Sequence, residues 1–142
     1  MAAVPLISIV DDDDDVRTAT GGLVETLGYQ VETFESGEAF LGSQLLEKTQ
    51  CLIADVQMRG MSGLLLQEHL LKIGTKIPVI FITAFPVGRV HDQVMKRGAV
   101  AYLTKPFDRA TLKSRLQWAL GDAGVFGDPA SSLIPPDCLT RG

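Results

Sequence analysis

Four short runs in this chain are apolar at nearly every position: LISIV at 6–10, CLIA at 51–54, PVIFIT at 78–83 and VAYLT at 100–104. Short unbroken apolar runs suit strands covered on both faces, as in a parallel sheet flanked by helices. A fifth run, YQVETF at 29–34, carries more polar side chains and suits an edge strand. Between and after these runs the apolar period changes to that of a helix. Val16, Ala19, Leu23 and Leu27 form one stripe, and Leu66, Leu70 and Ile73 a second. Val87, Val90 and Val94 form a third, and Leu112, Leu116 and Ala119 a fourth. The segment 36–46 is weaker, but it opens on Ser36, a good N-cap. Gly28, Gly74, Gly98 and Gly121 each stand just past a helical stretch, where a left-handed cap belongs.

The pattern is therefore five βα units, and it predicts an α/β fold: a doubly wound, five-stranded parallel sheet with helices on both faces. One local conflict stands against it. Gly21 and Gly22 lie inside the first helix, at a cost of about 1 kcal/mol each relative to alanine. Close packing is the only account the sequence offers. From Asp122 to Gly142 the chain is broken by Gly and Pro and has no period, so residues 122–142 read as a tail or linker with no output domain present, and residues 1–121 as the domain.

Composition narrows the class. The chain has 142 residues, enough for one real core, with 46% hydrophobic and 21% charged positions. A net charge of −4 argues against direct nucleic-acid binding and against attachment to acidic membranes. No apolar stretch approaches the roughly 20 residues that span a bilayer. The N-terminus carries no basic leader, and Cys51 and Cys138 stand far apart in no metal-like spacing. The expected compartment is the cytoplasm.

Open parallel sheets bind ligands outside the carboxyl ends of their strands. In this chain those ends carry Asp11 and Asp12, Asp55, Thr83 and Lys105. Oxygen ligands of this type suit Mg²⁺, a carboxylate can form an aspartyl phosphate, and phosphoryl transfer needs positioning and charge neutralisation. A metal with a lysine supplies both. Taken singly each feature has a plainer explanation: the Asp run a solvated cap, Thr83 a buried strand hydroxyl, Lys105 a strand end, Tyr102 a core ring. Their joint position on one rim overturns that explanation.

On the motifs VDDDDDVR (10–17), ADVQMRGMSG (54–63), FITA (81–84) and AYLTKPF (101–107), the sequence resembles the receiver domains of two-component response regulators over residues 5 to 120, and is most similar to the nitrogen-fixation-regulator branch. The resemblance implies a flavodoxin-like sheet of order 2-1-3-4-5. It implies Asp55 as phosphoacceptor from a sensor histidine kinase, with Asp12, Asp55 and the backbone carbonyl of Gln57 on Mg²⁺ and Asp11 assisting through water. It implies Lys105 on the phosphoryl oxygens, aimed by Pro106 after a cis bond, and a coupled movement of Thr83 and Tyr102. It further implies remodelling of the face made by the fourth helix, fifth strand and fifth helix, with homodimerisation on phosphorylation. Such a domain assists its own phosphotransfer and dephosphorylation and is not an enzyme acting on an external substrate.

Asp13, Asp14 and Asp15 then belong to the loop and first helical turn, where negative charge is favoured. The metal pair is assigned to Asp11 and Asp12 because the apolar strand stops at Val10; a register of Asp12 and Asp13 is the alternative. Three positions depart from the family or modulate it. Arg59 stands where proline is usual, and its guanidinium either faces solvent or reaches the phosphoryl group. Gln57 and Phe85, each two residues past a site residue, occupy positions that the resemblance implies tune phosphoryl lifetime, with Phe85 expected to restrict the attacking water and lengthen that lifetime.

Rival readings are weaker. A haloacid-dehalogenase-type phosphatase wants an acid at Gln57, and a calcium loop wants Gly and Glu where Val16 and Gly22 stand. A phosphorylation-independent pseudo-receiver commonly lacks one of the residues that are all present here. The domain is read as the receiver part of a transcriptional regulator, with a stand-alone regulator acting through protein contacts as the alternative. His69 and His91 are expected on the surface. Trp118 marks either a partner surface or a seat for Phe126 or Leu133 of the tail.

Overall fold

The computed structural model describes residues 4–84, 88–105 and 107–121. Phe85, Val87, Pro106 and the whole of 122–142, with Phe126, Leu133 and Cys138, lie outside the described residues. The elements run β1 Leu6–Val10, α1 Asp14–Thr26, β2 Gln30–Phe34, α2 Gly37–Leu41, β3 Cys51–Asp55, α3 Gly63–Lys72, β4 Val79–Thr83, α4 Gly88–Lys96, β5 Ala101–Thr104 and α5 Arg109–Ala119, with a 3-10 turn at Leu46–Lys48. All strand pairs are parallel, in the order β2-β1-β3-β4-β5. The expected flavodoxin-like sheet is the one observed.

Alternation along the strands divides the core into two layers. Ile7, Ile9, Ile53, Ile80 and Ile82 pack on one face with Val24 of α1 and Leu112 and Leu116 of α5. Val10, Leu52, Ala54 and Phe81 pack on the other with Phe40 of α2, Leu66 and Leu70 of α3 and Val94 of α4. Every residue of β3 and β4 is buried, which is why those runs are apolar up to their last residues, Asp55 and Thr83. β2 lies at the edge and is half exposed, as its polar residues require.

Three helices differ from expectation. α1 buries Thr20, Gly21 and Val24, and Ala19 is exposed. Gly21 faces the sheet: a β-carbon there would meet Val31 Cγ1 at 3.4 Å and Thr33 Cγ2 at 3.5 Å. Gly22 is exposed with nothing near it, and nothing in the structure explains it. α2 ends at Leu41 under a C-cap at Gly42, short of residue 46. Ile73 is the C-cap of α3 and 57% exposed, so it leaves the stripe begun by Leu66 and Leu70. Trp118 is half-buried on α5. No helix among the described residues is long and apolar enough to cross a membrane.

Candidate functional site

The register of the strands delivers the site. Asp11 follows β1 directly, and its amide donates to the Phe34 carbonyl at 3.1 Å, so pairing with β2 continues one residue past Val10. Asp55 closes β3. Lys105 follows β5, and its amide donates to the Thr83 carbonyl at 2.7 Å, carrying the β4–β5 pairing to the rim. Lys105 Nζ consequently stands 2.9 Å from Asp55 Oδ2 and 3.4 Å from Asp11 Oδ2.

Backbone donors hold both acids. The amide of Asp13 donates to Asp11 Oδ1 at 2.9 Å, and the amide of Gln57 donates to Asp55 Oδ1 at 2.9 Å. Arg17 Nη1 donates to the Asp11 carbonyl at 2.7 Å and so ties α1 to the end of β1. The Asp11 side chain is fully buried. That burial pushes its carboxyl above the usual carboxylate range; the Asp13 amide opposes the rise and the charge of Asp55 adds to it. Burial alone would lower the Lys105 ammonium, yet the hydrogen bond to Asp55 and the charges of Asp11 and Asp55 outweigh it and hold it above the ordinary lysine range. Two carboxylates thus share one ammonium.

Asp12 is engaged elsewhere. Its Oδ2 accepts from the Arg59 amide at 2.8 Å and from Arg59 Nε at 3.1 Å, while Arg59 Nη2 donates to the Asp12 carbonyl at 3.3 Å. The amide bond from Arg59, helped by its guanidinium, holds the Asp12 carboxyl below its ordinary value. Gly60, at φ +74°, turns the chain immediately after this contact. Asp13 caps α1, its Oδ1 accepting from the amides of Asp15 and Val16, and Asp14 and Asp15 form the first turn. Asp13 is therefore committed to the helix, which favours the register of Asp11 and Asp12 over that of Asp12 and Asp13.

The structure brings Asp11, Asp55 and Lys105 together and leaves Asp12 with Arg59. Among the described residues no three acidic, His or Cys side chains are gathered as a metal-holding group. The donor chemistry nevertheless fits a hard divalent cation: carboxylate oxygens on two adjacent strands, carrying more negative charge than the single lysine balances. Thr83 ends β4 and is fully buried; Tyr102, one strand over, is half-buried. Phe85 and Pro106 fall outside the described residues.

Sequence reasoning missed three features. Arg59 faces solvent, as expected, but it also clasps Asp12 across 47 residues of sequence, which the sequence did not show. His91 is not a plain surface residue: it is half-buried, and its ring stands against Tyr102. Gly63 begins α3 hard against β3, where a β-carbon would strike the Asp55 carbonyl and approach Val56 Cα to 2.9 Å. Only Gly63 had a signal, a glycine following the N-cap Ser62, where its flexibility brings no benefit.

Comparison with known proteins identifies the family. The family model for the response regulator receiver domain matches residues 7–117. The response regulator protein TodT of Pseudomonas putida is 39% identical over 115 residues, covering 81% of this chain and 51% of that protein. The transcriptional regulatory protein FixJ of Azorhizobium caulinodans is 35% identical over 121 residues, 85% of this chain and 57% of that protein. Among solved structures, the response regulator StyR superposes with a TM-score of 0.78 at 35% identity, covering 92% of this chain and 66% of that one. The chain spans about half the length of the curated relatives it matches.

Proposed function

This chain belongs to the response regulator receiver domain family, and from that premise we propose that it is a switch charged on Asp55 by the phosphohistidine of a sensor histidine kinase. The observation that carries the reading is the Lys105 ammonium 2.9 Å from Asp55 Oδ2 at the strand rim. A carboxylate oxygen of Asp55 attacks the donor phosphorus; the P–O bond forms as the P–N bond breaks, and the leaving imidazole carries off the electron pair. Lys105 meets the negative charge that arrives with the phosphoryl group. The Thr83 hydroxyl hydrogen-bonds a phosphoryl oxygen, and Tyr102 turns inward as it does so.

Mg²⁺, when bound, would supply positive charge that neutralises the phosphoryl oxygens. Asp12, Asp55 and the Gln57 carbonyl would hold it, with Asp11 acting through water. Attack by water on the aspartyl phosphate restores Asp55 and releases inorganic phosphate, so no external substrate is turned over.

The altered α4–β5–α5 face forms a homodimer. A role in a transcriptional regulator is supported by the names of relatives such as the transcriptional regulatory proteins TdiR and FixJ, of which this chain spans about half. At a net charge of −4 this chain leaves DNA contact to another domain, and it works in the cytoplasm.

Intact-mass spectrometry after incubation with acetyl phosphate tests the reading. One phosphate adduct that requires Mg²⁺ and vanishes in Asp55→Asn is expected. An adduct that persists in that variant would move the acceptor elsewhere.

A further inference from the structure

Asp12 and Arg59 lie on different loops, one after β1 and one after β3, yet three donors of Arg59 converge on Asp12. Two of them, the amide at 2.8 Å and Nε at 3.1 Å, use the same oxygen, Oδ2. The Arg59 side chain is 87% exposed and the Asp12 side chain only 22% exposed. Arg59 therefore reaches in from solvent over an acid that sits against the rim, and it can leave without uncovering any core.

We infer that Arg59 is an internal counter-cation that competes with the divalent metal for Asp12, so that it sets the metal affinity of the site. The inference rests on the metal reading proposed above. One carboxylate oxygen cannot serve a divalent ion fully while it accepts from Nε and the amide together. A divalent ion that takes Asp12 through Oδ2 has to displace the side-chain contact, and one that takes it through Oδ1 still meets the opposing charge of the guanidinium on the same carboxylate. Departure of Arg59 also changes the local charge balance, leaving Asp12 without its own cation beside Asp11 and Asp55, which share Lys105. Arg59 touches Asp12 rather than a reacting atom, which makes it a positioning residue: it holds a ligand in a metal-free state. The backbone amide of residue 59 stays on Asp12 whatever the side chain is, so removing the side chain releases only part of the restraint.

Calorimetric titration of the full chain with Mg²⁺ alone, without any phosphodonor, tests this. An exposed ion pair is weak, so Arg59→Ala is expected to bind Mg²⁺ about two- to fivefold more tightly than the parent. Arg59→Lys, which keeps the charge and loses the planar fork, is expected between the two. Lys72→Ala is the control. It removes an equal charge from an exposed pair with Glu68 on α3, 3.7 Å apart, and is expected to leave the affinity unchanged. Equal or weaker binding by Arg59→Ala overturns the inference and leaves the metal reading standing. A matching gain in Lys72→Ala overturns it too, since net charge would then account for the effect. Absence of Mg²⁺ binding in every variant removes the metal reading itself, and the inference with it.

Discussion

The imidazole of His91 stands edge-on to the ring of Tyr102, with centroids 5.2 Å apart and planes at 87°. This contact joins α4 to β5, the two elements whose face is proposed to change on phosphorylation. Replacing His91 by Ala is expected to lower stability by about 0.5–1.5 kcal/mol, the usual worth of such a ring pair. His91→Phe is expected to keep most of it. Thermal unfolding of the three proteins decides, and equal midpoints for all of them would show the contact to be idle.

Two glycines that look alike in sequence are expected to respond in opposite directions. Gly22 lies on the exposed side of α1 with nothing within 4 Å of its would-be β-carbon, so Gly22→Ala should stabilise by about 1 kcal/mol. At Gly63 the β-carbon meets backbone of β3, which cannot swing aside like a side-chain tip, so Gly63→Ala should destabilise by about 1–3 kcal/mol. It should also shift Asp55 and slow its phosphorylation. Urea unfolding of both variants measures the pair; a stabilised Gly63→Ala would contradict the packing argument.

That contrast marks where sequence reasoning stops. The buried strands were legible because a parallel sheet covered on both faces is built mostly from apolar side chains, and Asp55 and Lys105 were legible because each stands where such a run stops. The inner face of α1 was not, since Thr20 and Gly21 carry no hydrophobic signal although both are buried. Ile73 misled in the other direction: it keeps the helical period but sits at the cap, beyond the last turn that packs. Contacts made by side chains between separate elements, Arg59 with Asp12 across two loops and His91 with Tyr102 between α4 and β5, leave no period at all. They depend on the folded positions of both partners.

Asp11 predicts a pH dependence. Its carboxyl is raised above the ordinary value of 3.8 by burial, so the folded state binds a proton more readily than the unfolded chain. Ionised Asp11 therefore costs stability, fully above its folded pKa, progressively less as pH falls through that value, and not at all below about 3.8. Asp11→Asn keeps an oxygen for the Asp13 amide and cannot ionise. It should raise the melting temperature at pH 7, with the advantage shrinking towards acid pH. An advantage that grows on acidification would mean that Asp11 stabilises the fold through its charge.

Lys105 makes the complementary case. Its ammonium is the cation shared by Asp55 Oδ2 and the fully buried Asp11, and its own side chain is 18% exposed. Removing one partner of a buried charge cluster strands the other charges and can cost about 3–5 kcal/mol. Some exposure and an acid able to take up a proton put Lys105→Ala at or below the lower end, about 2–3 kcal/mol. A divalent cation can restore part of what is lost, because a ligand that binds only the folded state stabilises it by mass action. With the ammonium gone, the carboxylates should attract Mg²⁺ more strongly. Saturating Mg²⁺ should therefore raise the melting temperature of Lys105→Ala more than that of the parent protein. Melting curves with and without Mg²⁺ separate the possibilities. A smaller Mg²⁺ effect in the variant would mean that lysine and metal do not answer the same negative charge.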